Sequence, residues 1–283
     1  IIPLPKKTNF YGDFITVTDF NFKVDASELE FFNNFVNFTN INSINFNAQE
    51  GFVVSFNKQK LQTDEYLLKL QKDKIIITYS DYGGKVYGVI TLIQIINYYK
   101  KKIPVGLIED KPKFHWRGMH LDCARQYYSI EQIKKLIDYM CLFKLNRFHW
   151  HLSDNEAWRL HLECYPNLTK YGSFRGYKEL VPPFYGSGYE KSGGFYSKKQ
   201  IQDLINYAEK RNIQIMPEID LPAHSWTLLQ IMPELRDNSA NSISEDVGNY
   251  KNNTINPAVK DTMQFLNNIL NEISEIFSFN IVH

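Results

Sequence analysis

Phe148-His149-Trp150-His151-Leu152-Ser153-Asp154 is the run whose reading decides the fold. Aromatic, imidazole and hydroxyl side chains alternate here with little turn chemistry, so the segment predicts a β-strand. Strand alternation sends His149, His151 and Ser153 to one face and Phe148, Trp150, Leu152 and Asp154 to the other. Two readings are open on the run alone. Either the imidazoles and the carboxylate at its C-terminal end belong to an active site, or the histidines are hydrogen-bonded core residues of a buried strand.

Working outward, the same pattern recurs. Residues 116–125 alternate Met119, Leu121 and Cys123 with Gly118, His120 and Asp122, as a strand would. Residues 127–145 carry Ile130, Ile133, Leu136, Ile137 and Met140 at helical spacing, with Ser129 as the N-cap. Beyond the central run lies a Gly-, Pro- and aromatic-rich stretch, 155–195, too aromatic for a disordered linker and holding Trp158 as a loop anchor. Ser197 opens a second helix (198–212), and 213–220 reads as a third strand ended by Pro222. A loop then runs to about residue 256, Pro257 sits in the first turn of a third helix (257–277), and 279–283 reads as a fourth strand. Single helices between strands require parallel pairing. Asp122, Arg125, His151, Asp154, Glu218, Asp220, His224 and His283 all fall at strand C-termini, where a (β/α)8 barrel keeps its site. No Gly-rich phosphate turn follows the first strand, which argues against a doubly wound dinucleotide fold.

Upstream, residues 1–110 predict a small α+β domain: a strand at 51–57, a hairpin over 66–80 and a helix within 81–99. Residues 101–114, with two prolines and several charges, read as the joint to a second domain, 111–283. The 283 residues carry 32 basic and 31 acidic side chains, so no field of one sign points to nucleic acid or an anionic membrane. No apolar run reaches a membrane span, and the opening IIPLPKK lacks the parts of a signal peptide, so a cytosolic protein or a processed mature form is expected. Cys123, Cys141 and Cys164 match no zinc or redox spacing and read as three small buried residues. Sequons at Asn37, Asn167 and Asn252 carry little weight in so Asn-rich a chain.

Taken together, LDCARQYYS (121–129), KLNRFHWHLSDNEAW (144–158), the run from Gly193 to His224 and FNIVH (279–283) resemble family 20 glycoside hydrolases, the β-N-acetylhexosaminidases. DYGGKVYGVITLIQII followed by IEDKPKFHWRG is similar to the small domain and joint that precede the barrel in that family. The resemblance implies a (β/α)8 TIM barrel, truncated here after its fourth strand, behind an α+β domain. It implies an exo-acting, retaining enzyme in which the substrate's own 2-acetamido oxygen attacks the anomeric carbon. Arg125 matches the arginine that binds terminal-sugar hydroxyls, and Asp154 and His224 match a supporting carboxylate–imidazole dyad. His151, Glu218 and His283 are further site candidates. The family's acetamido-orienting Asp and acid/base Glu follow the position matched by His283, so the natural polypeptide is expected to continue and this chain alone to be inactive. Asn155 stands where many members have a second Asp, and Ala223 where Gly is usual. The resemblance further implies no cofactor and no metal, an oligosaccharide or glycoconjugate substrate, a homodimer as in many members, and a lysosomal, secreted or bacterial-envelope setting.

Two rival readings stay in view. His149 and His151 form an HxH that, with His224, Asp220 and His283, could serve a metal-dependent barrel hydrolase. A non-catalytic glycan-binding protein is the other.

Overall fold

The computed structural model describes residues 1–17, 21–38, 45, 48, 51–236 and 250–283. The third residue of the Asn37 sequon and the middle of the loop before Pro257 lie outside them. By internal packing the chain divides into two compact units: residues 1–117 with 136–146 and 210–213, and residues 118–135, 147–209 and 214–283.

The first unit is a mixed sheet with helices. Its strands are β1 (Lys7–Thr16), β2 (Phe22–Val24), β3 (Phe52–Lys58), β4 (Tyr66–Leu70), β5 (Lys74–Tyr79) and β6 (Lys102–Asp110), in the order β1-β6-β4-β5-β3-β2. A short helix α1 (Leu29–Asn33) follows β2, and α2 (Tyr82–Tyr99) follows β5. The β4–β5 hairpin and α2 appear where sequence predicts them. Asp81 starts α2 by accepting from the Gly84 amide at 2.9 Å, which satisfies one of the free N–H groups of the first turn. Val86, Val89, Ile90, Leu92, Ile93 and Ile96 are fully buried, as are Leu68, Ile75 and Ile77 of the sheet. Each such side chain is worth roughly 1.5–3 kcal/mol. Gly88 allows the close approach of helix to sheet, since a Cβ there would sit 2.6 Å from Ile77 Cγ2.

The joint predicted over 101–114 is mostly a strand. β6 pairs antiparallel with both β1 and β4. Ile103 and Ile108 are fully buried and offset the cost of the local prolines. Pro104 lies opposite Phe14, next to a register break in β1, where a missing N–H is tolerated.

In the second unit β7 (Gly118–Asp122), β8 (Arg147–Asp154) and β12 (Gln214–Ile219) form a parallel sheet in the order β12-β8-β7. A two-residue strand β9 (Ala157–Trp158) turns back antiparallel on β8. Helices α3 (Ile130–Leu142), whose residues from Leu136 on are counted with the first unit, and α5 (Lys198–Glu209) precede β8 and β12. Each opens with a reciprocal capping box: the Ser129 amide donates to Gln132 Oε1 at 2.8 Å, and the Ser197 amide to Gln200 Oε1 at 2.9 Å. The 155–195 stretch is organised by α4 (Asn167–Gly172) and by the β10 (Phe174–Arg175) and β11 (Ser192–Gly193) pair. Trp158 is buried and donates to the Leu160 carbonyl at 2.7 Å, an anchoring contact. Helix α6 (Trp226–Ile231) follows β12, and α7 (Lys260–Ile276) begins past Pro257, with Val259 as N-cap. Residues 279–283 do not form the predicted strand. Only His283 pairs, its amide with the Pro217 carbonyl and its carbonyl with the Ile219 amide, both at 2.9 Å.

Cys123 and Cys141 are buried as predicted, but Cys164 is exposed. Local burial and the Glu272 carboxylate, which also accepts from the Cys164 amide at 3.0 Å, push its thiol up to about 12. Alkylation by iodoacetamide at pH 7.5 is therefore expected to be slower than for a free cysteine, because the thiolate is the nucleophile. Glu272→Gln should accelerate it, as mass spectrometry of the Cys164 peptide would show. Equal rates in both proteins would contradict the electrostatic account.

Candidate active site

The C-terminal end of β8 departs from strict alternation. Along β12, Glu218 pairs with His151 but Ile219 pairs with Ser153, so one residue of β8 is skipped. This bulge resets the side-chain parity. Phe148, Trp150 and Leu152 are fully buried. Asp154, predicted on the opposite face from His151, instead meets it: Asp154 Oδ2 lies 2.9 Å from His151 Nε2. The other carboxylate oxygen, Oδ1, accepts from the Asn155 amide at 2.7 Å and lies 2.9 Å from His224 Nδ1. His224 is carried by the turn after β12 in a left-handed conformation, φ 52°, which aims its ring back at β8.

Asp154 is almost fully buried. Burial alone would raise its pKa. The hydrogen bonds from His151 and the Asn155 amide, with Arg125 and His224 nearby, outweigh that and hold the carboxyl below its ordinary value. His151 is driven down by burial but is raised on balance by Asp154 and Glu218, which stand at 2.9 and 3.0 Å from its two nitrogens.

Arg125 sits just beyond β7 with a carboxylate at each guanidinium nitrogen. Nη2 is 2.6 Å from Asp154, Nη1 is 3.0 Å from Asp122 and Nε is 3.0 Å from Glu156. These carboxylates raise its pKa against the effect of burial. A third of the side chain remains exposed. Each terminal nitrogen of a guanidinium has two N–H bonds, so the fork keeps donors for a ligand. Glu156 was not legible as a site residue. It is buried, and its second oxygen accepts from the Tyr185 hydroxyl at 2.9 Å. Asn155 also contributes: its side chain lies 3.4 Å from His224 Nδ1 and accepts from the Trp226 amide at 3.1 Å.

Below this layer, Glu218 Oε2 is 2.6 Å from His149 Nε2 and 3.2 Å from His120 Nε2. His283 Nδ1 lies 3.2 Å from His149 Nε2. Burial lowers the pKa of His149, and the histidines around Glu218 hold its carboxyl below the ordinary value although burial opposes them. Asp220 is raised by burial, and its amide donates to Ser153 Oγ at 3.0 Å. The HxH histidines do not aim at one point. Among the described residues, His149 clusters with His120 and Glu218, whereas His151 clusters with Asp154 and Asp220. The second cluster already faces Arg125 across 2.6 Å, which disfavours a cation there.

Two family models match this chain in tandem. Glycosyl hydrolase family 20, domain 2, covers residues 1–111, and the catalytic domain of the same family covers residues 114–283. The chain belongs to glycosyl hydrolase family 20. A curated relative named beta-hexosaminidase, from Vibrio furnissii, is 37% identical over 226 residues, which is 79% of this chain and 37% of the relative. The structure of a family 20 exo beta-N-acetylglucosaminidase from Vibrio harveyi in complex with N-acetylglucosamine matches with TM-score 0.90 and 31% identity, over 100% of this chain and 46% of that one. A beta-N-acetylhexosaminidase from Bacteroides fragilis matches with TM-score 0.82 and 28% identity, over 100% and 56%. The chain thus spans roughly half, or less, of these relatives. It corresponds to the family's N-terminal domain and the first part of its catalytic TIM barrel, and no closed barrel is present among the described residues. No helix of the described residues is long and apolar enough to cross a membrane.

Proposed function

We propose that the full-length protein is an exo-acting, retaining glycosidase that removes terminal β-linked N-acetylhexosamine from oligosaccharides or glycoconjugates. The observation that carries this reading is the Asp154–His224 pair at 2.9 Å, set beside Arg125 at the strand ends of a family 20 fold. With Nδ1–H directed at Asp154, His224 exposes Nε2 as the free nitrogen, and that nitrogen can orient and tune a neighbouring acid. Arg125, held rigid by three carboxylates, offers its remaining N–H groups to sugar hydroxyls. In the reaction the acetamido oxygen bonds to the anomeric carbon as the glycosidic C–O bond breaks, and a glutamic acid protonates the leaving oxygen. That acid and the acetamido-orienting aspartate follow the position of His283 in the family's order. No cofactor takes part. A homodimer and a lysosomal or secreted setting rest on the family resemblance alone.

The test is release of p-nitrophenol by the full-length protein from its β-N-acetylglucosaminide and from the matching β-glucoside. Only the first has the acetamido nucleophile, so only the first should be cleaved. No release from the N-acetylglucosaminide, or equal release from both, would remove the proposal.

A further inference from the structure

We propose that His120, His149 and Glu218, with His283 at their side, form a binding site for a divalent transition-metal ion of the zinc class. The three core groups come from three adjacent parallel strands, β7, β8 and β12, and His120 lies directly opposite His149 in the β7–β8 register. Their ligand atoms converge: His149 Nε2 and His120 Nε2 are 2.6 and 3.2 Å from Glu218 Oε2, and His283 Nδ1 is 3.2 Å from His149 Nε2 and 3.5 Å from Glu218 Oε1. A tetrahedral zinc ion with bonds of about 2.0–2.1 Å places its ligand atoms roughly 3.3 Å apart. The observed spacings bracket that value, so small side-chain rotations suffice and the strands need not move. Imidazole and carboxylate are also a donor set that zinc favours over magnesium or calcium. The ion pairs of Glu218 among the described residues are all with imidazoles, so no lysine or arginine contests the site.

This site is separate from the HxH arrangement of a metallohydrolase, because His151 is not a member. It adjoins the dyad through one link: Glu218 Oε1 is 3.0 Å from His151 Nδ1, and His151 Nε2 is 2.9 Å from Asp154. An ion that takes Glu218 draws charge from His151 and disturbs the support of Asp154. The metal therefore acts as an inhibitor, a consequence that rests on the proposed glycosidase function; the binding itself does not.

The experiment is calorimetric titration of the metal-free full-length protein with Zn2+, together with the visible absorption of its Co2+ form. Expected are one ion per chain and the intense absorption of a tetrahedral Co2+ site. His120→Ala should weaken Zn2+ binding by about tenfold or more, with a cooperative melt in EDTA showing that the variant is folded. His149→Gln should do the same. Absence of stoichiometric binding, or wild-type affinity in both variants, overturns the site. Binding without loss of p-nitrophenol release overturns only the inhibitory link, and an inactive protein that still binds Zn2+ separates failure of the glycosidase reading from failure of the site.

Discussion

Asp154→Asn in the full-length protein is expected to lower kcat/KM for the N-acetylglucosaminide by about 10²–10³-fold, mostly through kcat, the range typical of a disabled acid–base apparatus. The substitution preserves shape, so the strand end still folds. What changes is the hydrogen-bond inventory. The carboxylate accepts on both oxygens, from the Asn155 amide and His224 at Oδ1 and from His151 and Arg125 at Oδ2. A carboxamide accepts at its oxygen only and presents an NH2 donor at the other position. If its NH2 faces Arg125 and His151, two donors meet a donor. If it faces His224, the imidazole must turn its acceptor nitrogen inward and present the wrong tautomer outward. Arg125 keeps Asp122 and Glu156, so it is not left unpaired. Stability follows a sign that can be worked out. The folded pKa of Asp154 lies below its unfolded value of about 3.9. Its contribution is therefore complete above the unfolded pKa and fades as pH falls through the folded one. The melting-temperature gap between wild type and Asp154→Asn should be present at pH 7 and narrow below about pH 4. Activity within a few-fold of wild type would show that the Asp154–His224 pair is structural only.

Much of this was readable from sequence because hydrophobic period and cap chemistry act locally. The run at 148–154 announced its strand, and Ser129 and Ser197 announced their helices, since each cap is completed by a glutamine three residues on. The candidates Arg125, Asp154 and His224 do converge. Other features depend on partners distant in sequence. The β8 bulge leaves no mark in the alternation, because Ser153 and Asp154 are both polar, and only the pairing with β12 shows which residue is skipped. Nothing in the sequence around Glu156 marks it as a partner of Arg125 and Tyr185, which the fold brings to it from distant positions. The prolines near β6 hid a strand whose burial depends on β1 and β4. Residues 279–283 have strand character, yet only one residue of them pairs along β12.

Arg159→Met should cost at least about 4 kcal/mol, because the side chain is a fully buried connector and not a surface charge. Its Nε donates to the Cys123 carbonyl at 2.9 Å, Nη2 to that of Ala124 at 2.9 Å, and Nη1 to those of Gly194, at 3.0 Å, and Ser173. The ring of Tyr127 lies 5.7 Å from its guanidinium. Burial pushes its pKa down to about 10, which still leaves it charged at neutral pH. Each hydrogen bond to a charged group contributes roughly 1.5–3 kcal/mol. Relief of the buried charge returns part of that sum, so the expected loss stays below the full total. Methionine fills much of the volume but donates nothing, and buried carbonyls would lose their donors. Lysine keeps the charge, yet its point-like ammonium cannot span carbonyls arranged for a planar fork, so Arg159→Lys should fall between. For a unit of this size the methionine variant should melt about 10 °C or more below wild type. A shift within about 2 °C would refute the account. The consequence reaches the site, because Cys123 and Ala124 lead directly into Arg125, whose own carbonyl is held by Arg175. Three successive carbonyls at the exit of β7 are thus gripped by buried arginines. Loss of Arg159 loosens the backbone that aims Arg125, so the residual folded fraction should show a raised KM for the N-acetylglucosaminide before any change in kcat.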